Sequence, residues 1–221
     1  MNIVLLVIHL FVSFAWSVQF SSVAANEAIS FSRLSIEDGL SQVAVHAIAQ
    51  DRFGYMWFGT QEGLNRFDGY RFTHFMHHQN DPNSLSGSWI FALLADRDGY
   101  LWIGTKSSGL DRLDPDTFEI SHFRHDPESS GSLSNNGVHT LYQDSVGRLW
   151  VGTDRGVNRF DAASGSFVSY LDQGLDRQDT GTGSVHSIDE APDGSILVGI
   201  DGGGLVVLDP STGEWSKTVW L

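Results

Sequence analysis

Short runs of apolar, β-branched and aromatic residues recur along the chain between clusters of Gly, Asp, Asn and Pro. The first set is Val45–Gln50, Tyr55–Gly59, Leu64–Phe67 and Phe72–Met76. Runs this short, bounded by turn residues, predict antiparallel strands. The pattern opened by Val45 to Asp68 returns from Ile90 to Asp114, Val138 to Asp161 and Val185 to Asp209. The glycine of its Trp-x-Gly-Thr core falls at 59, 104, 152 and 199, giving periods of 45, 48 and 47 residues. Strand-rich repeats of about 40–50 residues mark β-propeller blades. One such unit cannot bury its own apolar faces, so blades must stack around an axis. The expectation is an all-β chain with four visible four-stranded blades, at about residues 45–76, 90–123, 138–171 and 185–220.

The turns carry their own chemistry. Asp51-x-x-Gly54 returns as Asp96-x-x-Gly99 and Asp144-x-x-Gly147. Asp can hold the backbone two residues on, and Gly supplies positive φ at the turn's end. Asp68-Gly69 is a tight hairpin signal. Within the core strand, residues two apart share a face, so Trp57 points with Gly59, Trp102 with Gly104 and Trp150 with Gly152. A glycine beside a tryptophan leaves room for a neighbouring blade, which reads these tryptophans as inter-blade packing. The fourth copy departs from the rest. Ala191 stands where the others have Asp, Leu197 where they have Trp, Ile200 where they have Thr, and Val207 where they have Arg66, Arg112 and Arg159. A joint loss of polar groups is expected of a single buried network, because half a network leaves unsatisfied atoms. The expected pairs are Asp51 with Arg66, Asp96 with Arg112 and Asp144 with Arg159, bridged by the long Arg side chains.

Composition narrows the partners. With 13 basic against 27 acidic residues the net charge is −14, which argues against a nucleic-acid surface and against docking on anionic lipid. Residues 1–25 read as a signal peptide: Ile3 to Trp16 is a short apolar run and Val23-Ala24-Ala25 offers small residues before Asn26. The rival reading is an uncleaved anchor, against which His9, Ser13, Ser17 and Gln19 interrupt any full span. The first 25 residues carry no Lys or Arg, so the amino terminus alone supplies the positive end. No cysteine is present, so an exported core must hold by burial without disulfides.

Candidate chemistry is sparse. His46, His139 and His186 share one position in the first strand of blades one, three and four, with Phe91 in blade two. The innermost strand of a propeller blade lines the central channel, so these imidazoles are candidates to line it. Three imidazoles around an open position can bind zinc. The differing heights of adjacent strands and the lack of a carboxylate at the repeat position favour channel lining, and no metal or cofactor is assigned. Trp89 and Tyr70 are the candidate stacking aromatics. With the four strands of each blade lettered A to D in chain order, the loops between strands D and A and between B and C are the candidate ligand loops. Ser129-Ser130-Gly131-Ser132 has no nucleophile-elbow context, and Gly202-Gly203-Gly204 lies in a strand-to-strand turn. No catalytic residue is assigned.

The stretch Asp51-x-x-Gly54-x-x-Trp57-x-Gly59-Thr60-x-x-Gly63-Leu64-Asn65-Arg66-Phe67-Asp68, with its copy Asp144 to Asp161, resembles the two-component regulator propeller family. Phe31-Ser-Arg-Leu34-Ser-Ile-Glu-Asp-Gly39-Leu40-Ser41 is similar to the start of such sensors. The resemblance covers about residues 31–221. It implies a periplasmic sensor region ahead of a membrane helix and a histidine kinase or diguanylate cyclase, usually with seven blades per ring. It also implies a carbohydrate or other small-molecule ligand. Phe31–Leu34 reads as an extra fourth strand, surplus to four complete repeats. Residues 26–221 are therefore expected to be a partial propeller whose ring, membrane helix and output domain lie further on. On this reading any kinase or cyclase activity would lie beyond residue 221. The alternative is a stand-alone exported scaffold that pairs with itself or another protein, and a propeller lyase or hydrolase ranks third.

Overall fold

The computed structural model describes residues 31–170 and 183–217. The chain divides into the units Met1–Arg33 and Leu34–Leu221. The expected signal peptide lies outside the described residues, as do the parts of the expected blades beyond residues 170 and 217.

Four antiparallel sheets, each meandering in chain order, make up the second unit. Blade one is β1 (Val45–Gln50), β2 (Met56–Thr60), β3 (Gly63–Phe67) and β4 (Phe72–Phe75). Blade two is β5 (Ile90–Ala95), β6 (Leu101–Thr105), β7 (Leu110–Leu113) and β8 (Ile120–Phe123). Blade three is β9 (Val138–Gln143), β10 (Leu149–Thr153), β11 (Gly156–Asp161) and β12 (Ser166–Tyr170). Blade four is β13 (Val185–Glu190), β14 (Ile196–Ile200), β15 (Gly204–Leu208) and β16 (Trp215–Lys217). The first strands β1, β5, β9 and β13 stand side by side in that order.

The core lies in three seams between consecutive blades. Trp57 and Leu64 pack on Ile90, Leu101, Ile103 and Leu113. Trp102 and Leu110 pack on Val138, Leu149, Val151 and Phe167. Trp150 and Val157 pack on Val185, Ile196, Val198 and Leu208. The glycine two residues past each tryptophan is what lets the sheets close. A Cβ at Gly59 would lie 2.6 Å from Ile90 Cγ2, one at Gly104 2.6 Å from Val138 Cγ1, and one at Gly152 2.7 Å from Val185 Cγ1. The first residue of each following blade therefore seats in the notch of the blade before it.

Phe31–Leu34 forms no strand, a correction to the sequence reading. Local turn chemistry takes over immediately after it. Ser35 caps the 3-10 turn Ile36–Asp38, its side chain accepting from Glu37 N while Asp38 accepts from Ser35 N, and Gly39 closes the turn at φ 104°. Each described sheet already holds its four strands without it.

Candidate functional site

The expected Asp–Arg ion pairs are not formed. The partner of each carboxylate is the indole of the same blade. Asp51 Oδ2 accepts from Trp57 Nε1 at 2.7 Å, Asp96 Oδ2 from Trp102 Nε1 at 2.7 Å and Asp144 Oδ2 from Trp150 Nε1 at 2.9 Å. The other oxygen holds the turn, Asp51 Oδ1 accepting from Phe53 N and Tyr55 N. The register explains this: Ala49 faces Trp57 across the hairpin, so Asp51, two residues on, lies diagonal to the indole on the same face. Burial pushes the Asp144 carboxyl up, but hydrogen bonds from Trp150 and Arg148 hold it below the usual carboxylate range. The arginines stack instead. Arg66 lies over the Tyr55, Phe118 and Trp57 rings, Arg112 over Tyr100 and Trp102, and Arg159 over Tyr170. Joint loss in blade four still makes sense, since Ala191, Leu197 and Val207 remove acceptor, indole and stacking cation together.

Ile200 belongs to a second network that sequence reasoning missed. Thr60 Oγ1 meets Ser41 Oγ at 3.1 Å, and Asn65 bonds Ser41 through both its amide oxygen and its nitrogen. Ser134, Thr153 and Asn158 repeat the arrangement. Blade four has Ile200 and Val206 at the Thr and Asn positions. Blade two carries Asp111 instead of Asn, fully buried. It accepts from Ser86 N at 2.8 Å and from His122 Nδ1 at 2.7 Å, while His122 Nε2 donates to the Pro82 carbonyl at 2.9 Å. Both ring nitrogens face acceptors, an arrangement that favours the imidazolium. Its pKa is raised above the ordinary 6.5, first by the Asp111 hydrogen bond. With no amide to donate, Asp111 leaves the buried Ser86 Oγ without a hydrogen-bond partner. The repeated Leu40-Ser41, Leu85-Ser86 and Leu133-Ser134 pairs were the available sequence signal.

The three repeat histidines come together with Phe91. In each blade the strand pairing skips one residue near the start of the first strand, and the skipped residue is His46, Phe91, His139 or His186. A bulge re-aims its side chain out of the pleat. The four rings form one row: His46 to Phe91 at 5.6 Å between centroids, Phe91 to His139 at 5.5 Å, and His139 to His186 at 4.8 Å. Trp89 flanks the row 5.7 Å from Phe91, with Lys106 Nζ 3.6 Å from its ring centroid. Trp89 Nε1 donates to His46 Nε2 at 3.4 Å. His139 Nε2 meets Asp154 Oδ1 at 2.6 Å, and Ser184 Oγ donates to the same oxygen. Trp89 precedes β5, while Lys106 and Asp154 follow β6 and β10, so the D–A and B–C loops supply the flanks. Tyr70 is exposed in the β3–β4 turn, among the connections at the opposite end of the strands. Among the described residues no three His, Asp or Glu side chains converge as metal ligands. The row offers flat apolar faces edged by one ammonium, one carboxylate and several imidazole nitrogens, a surface for stacking and hydrogen bonding.

Three stretches of the chain, residues 39–62, 84–107 and 132–155, match the two component regulator propeller family. The chain carries three copies of that family's repeat. Each matched stretch runs from a Leu-Ser pair through a bulge residue to the turn after the second strand, so it takes in one ring of the row and the Ser and Thr members of the Ser41–Thr60–Asn65 type of network. The extracellular domain of a hybrid two-component system from B. thetaiotaomicron is 32% identical with a TM-score of 0.76, over 85% of this chain and 26% of that one. A histidine kinase of Formosa agariphila is 41% identical over 63 residues, 28% of this chain and 5% of the kinase. The chain thus spans about a quarter or less of these relatives. A virginiamycin B lyase from Staphylococcus aureus, 16% identical with a TM-score of 0.61 over 80% of this chain and 56% of that one, shares the fold alone. No described helix is long and apolar enough to cross a membrane.

Proposed function

We propose that this propeller is the exported ligand-input region of a transmembrane signalling protein, with a histidine kinase or diguanylate cyclase as output. It takes a carbohydrate or other small molecule across the row of bulge residues. The single observation that carries the reading is that four separate sheets each aim one ring into a continuous row beside Trp89, Lys106 and Asp154. A ligand laid along it touches all four blades at once. Its affinity then depends on how the blades are spaced, which is the differential affinity needed to shift a two-state equilibrium. Export is supported by the leader-like first 25 residues and by the extracellular placement of the solved relative. The role within this chain is binding, and phosphoryl or nucleotide chemistry falls to other parts of such a protein.

The test is a thermal-shift screen of the purified chain against mono- and oligosaccharides and small metabolites. A ligand at about 100 times its Kd stabilises by about 2.7 kcal/mol, or roughly 5–10 °C in Tm for a chain of this size. Trp89→Ala is expected to weaken binding about 30-fold or more, as central tryptophans do. Hits unaffected by both Trp89→Ala and His139→Ala would refute the site.

A further inference from the structure

The loop between β4 and β5 repeats in form between β8 and β9. His77 Nδ1 donates to the Leu85 carbonyl at 2.6 Å, and His125 Nδ1 to the Leu133 carbonyl at 2.6 Å. Ser84 Oγ donates to the His78 carbonyl at 3.0 Å, and Ser132 Oγ to the Asp126 carbonyl at 2.9 Å. One scaffold thus carries two chemistries. The later loop has Asp126 and Glu128 where the earlier one has His78 and Asn80. The strand beside it has Ser169 facing Asn158, where β8 has His122 facing Asp111. Around the earlier loop cations gather instead. His77, His78, His122 and Arg124 line a cleft of about 380 Å³ between that loop and β8. Among the described residues no hydrogen bond or carboxylate takes up the Arg124 guanidinium, and His78 bonds only through its backbone. Ser86 lines the same cleft at 6% exposure, and its Oγ has no hydrogen-bond partner.

We propose that this cleft binds a small oxyanion, a carboxylate, phosphate or sulfate, held by the Arg124 guanidinium with His78 and Ser86 as further donors and His122 as a fixed positive neighbour. The planar guanidinium fork pairs with two oxygens of any of these groups at once. A chain of net charge −14 repels anions in general, so an anion settles only where cations are gathered locally. The acids nearby are already spent. Asp111 accepts from Ser86 N and His122 Nδ1, and Asp81, the acid in the cleft lining, accepts from Asn83 N at 2.9 Å. A hydroxyl buried without a partner costs free energy that an anion oxygen would recover. The cleft lies on the edge strand β8, three strands from the bulge of β5. It is therefore separate from the ring row, and neither site depends on the other.

Imidazole NMR of the purified chain tests this. Sodium phosphate, sulfate and acetate are titrated in turn at constant pH, each against sodium chloride at equal ionic strength. The expected result is that the His78 and His122 rings shift along one saturable curve that chloride does not reproduce. Tighter binding of phosphate and sulfate assigns a phosphoryl or sulfuryl group, and tighter binding of acetate a carboxylate. Arg124→Ala removes charge-assisted hydrogen bonds and is expected to weaken binding about 10-fold or more. Arg124→Lys keeps the charge without the fork and is expected to fall between the two. Unchanged indole signals of Trp57, Trp102 and Trp150 show that each variant is folded. Shifts that chloride reproduces, or a binding curve indifferent to Arg124→Ala in a folded chain, would overturn the proposal. So would anions that move His46, His139 and His186 while His78 and His122 stay still.

Discussion

Replacing Asp51 by Ala removes the acceptor for three donors at once: the Trp57 indole at 2.7 Å, Phe53 N at 2.9 Å and Tyr55 N at 3.0 Å. Trp57 is fully buried, so its indole N–H cannot turn to water and the loss costs about 1–3 kcal/mol. The two backbone donors lie near the exposed A–B turn, and rehydration limits their part to about 1 kcal/mol. The single variant is therefore expected to lose about 2–4 kcal/mol. Trp57→Leu opens a cavity in the first seam at a cost of about 2–4 kcal/mol and leaves Asp51 short of a donor. The double variant reproduces the Ala191 and Leu197 that blade four already tolerates. It is expected to be about 1–3 kcal/mol more stable than the sum of the singles predicts. Urea unfolding of the four proteins measures the coupling. Additivity within about 0.5 kcal/mol would refute the carboxylate–indole account. The parallel cycle of Asp51→Ala with Arg66→Val is expected to show a smaller coupling, because Arg66 reaches Asp51 only through the rings it covers.

Other outcomes follow from the same geometry. His122 binds its proton more tightly folded than unfolded, so its stabilisation is complete below about pH 6.5 and fades as pH rises through the raised folded value. Thermal melts across that range are expected to show the decline, and Asp111→Asn with His122→Ser, which imports the Asn158 and Ser169 of blade three, is expected to abolish it. His122→Ser alone strands the buried Asp111 carboxylate and is expected to cost about 3–5 kcal/mol, mostly recovered by the second change. Gly104→Ala places a methyl against Val138 and is expected to cost about 1–3 kcal/mol, with partial rescue by Val138→Ala in chemical denaturation. Tyr70→Ala is expected to change stability by less than about 0.5 kcal/mol and to leave ligand binding untouched, since that side chain is 95% exposed at the far end of the strands.

The fold was legible because each blade repeats its own punctuation, and spacing alone located the four sheets. Side-chain partners were less legible. Asp51 and Arg66 carry opposite charges, yet hairpin register puts the indole nearer, and sequence charge says nothing about diagonal neighbours. The Ser41–Asn65 and Ser134–Asn158 bonds span 24 residues and join a connecting loop to a third strand, which no local pattern announces. Phe31–Leu34 looked like a strand by composition, but the cap at Ser35 turned the chain first. The histidines were visible as a repeat. Their convergence depends on a bulge in every first strand, and a bulge leaves no mark on the apolar pattern.

The most direct test of the ligand-input account is indole and imidazole NMR of the chain titrated with a hit from the thermal-shift screen. The account predicts that the Trp89 indole and the His46, His139 and His186 rings shift together along one binding curve. The Trp57, Trp102 and Trp150 indoles, held by Asp51, Asp96 and Asp144, are expected to stay put. A ligand that leaves Trp89 and the three imidazoles unmoved while perturbing Tyr70 or the A–B turns would place binding at the opposite end of the blades and contradict it.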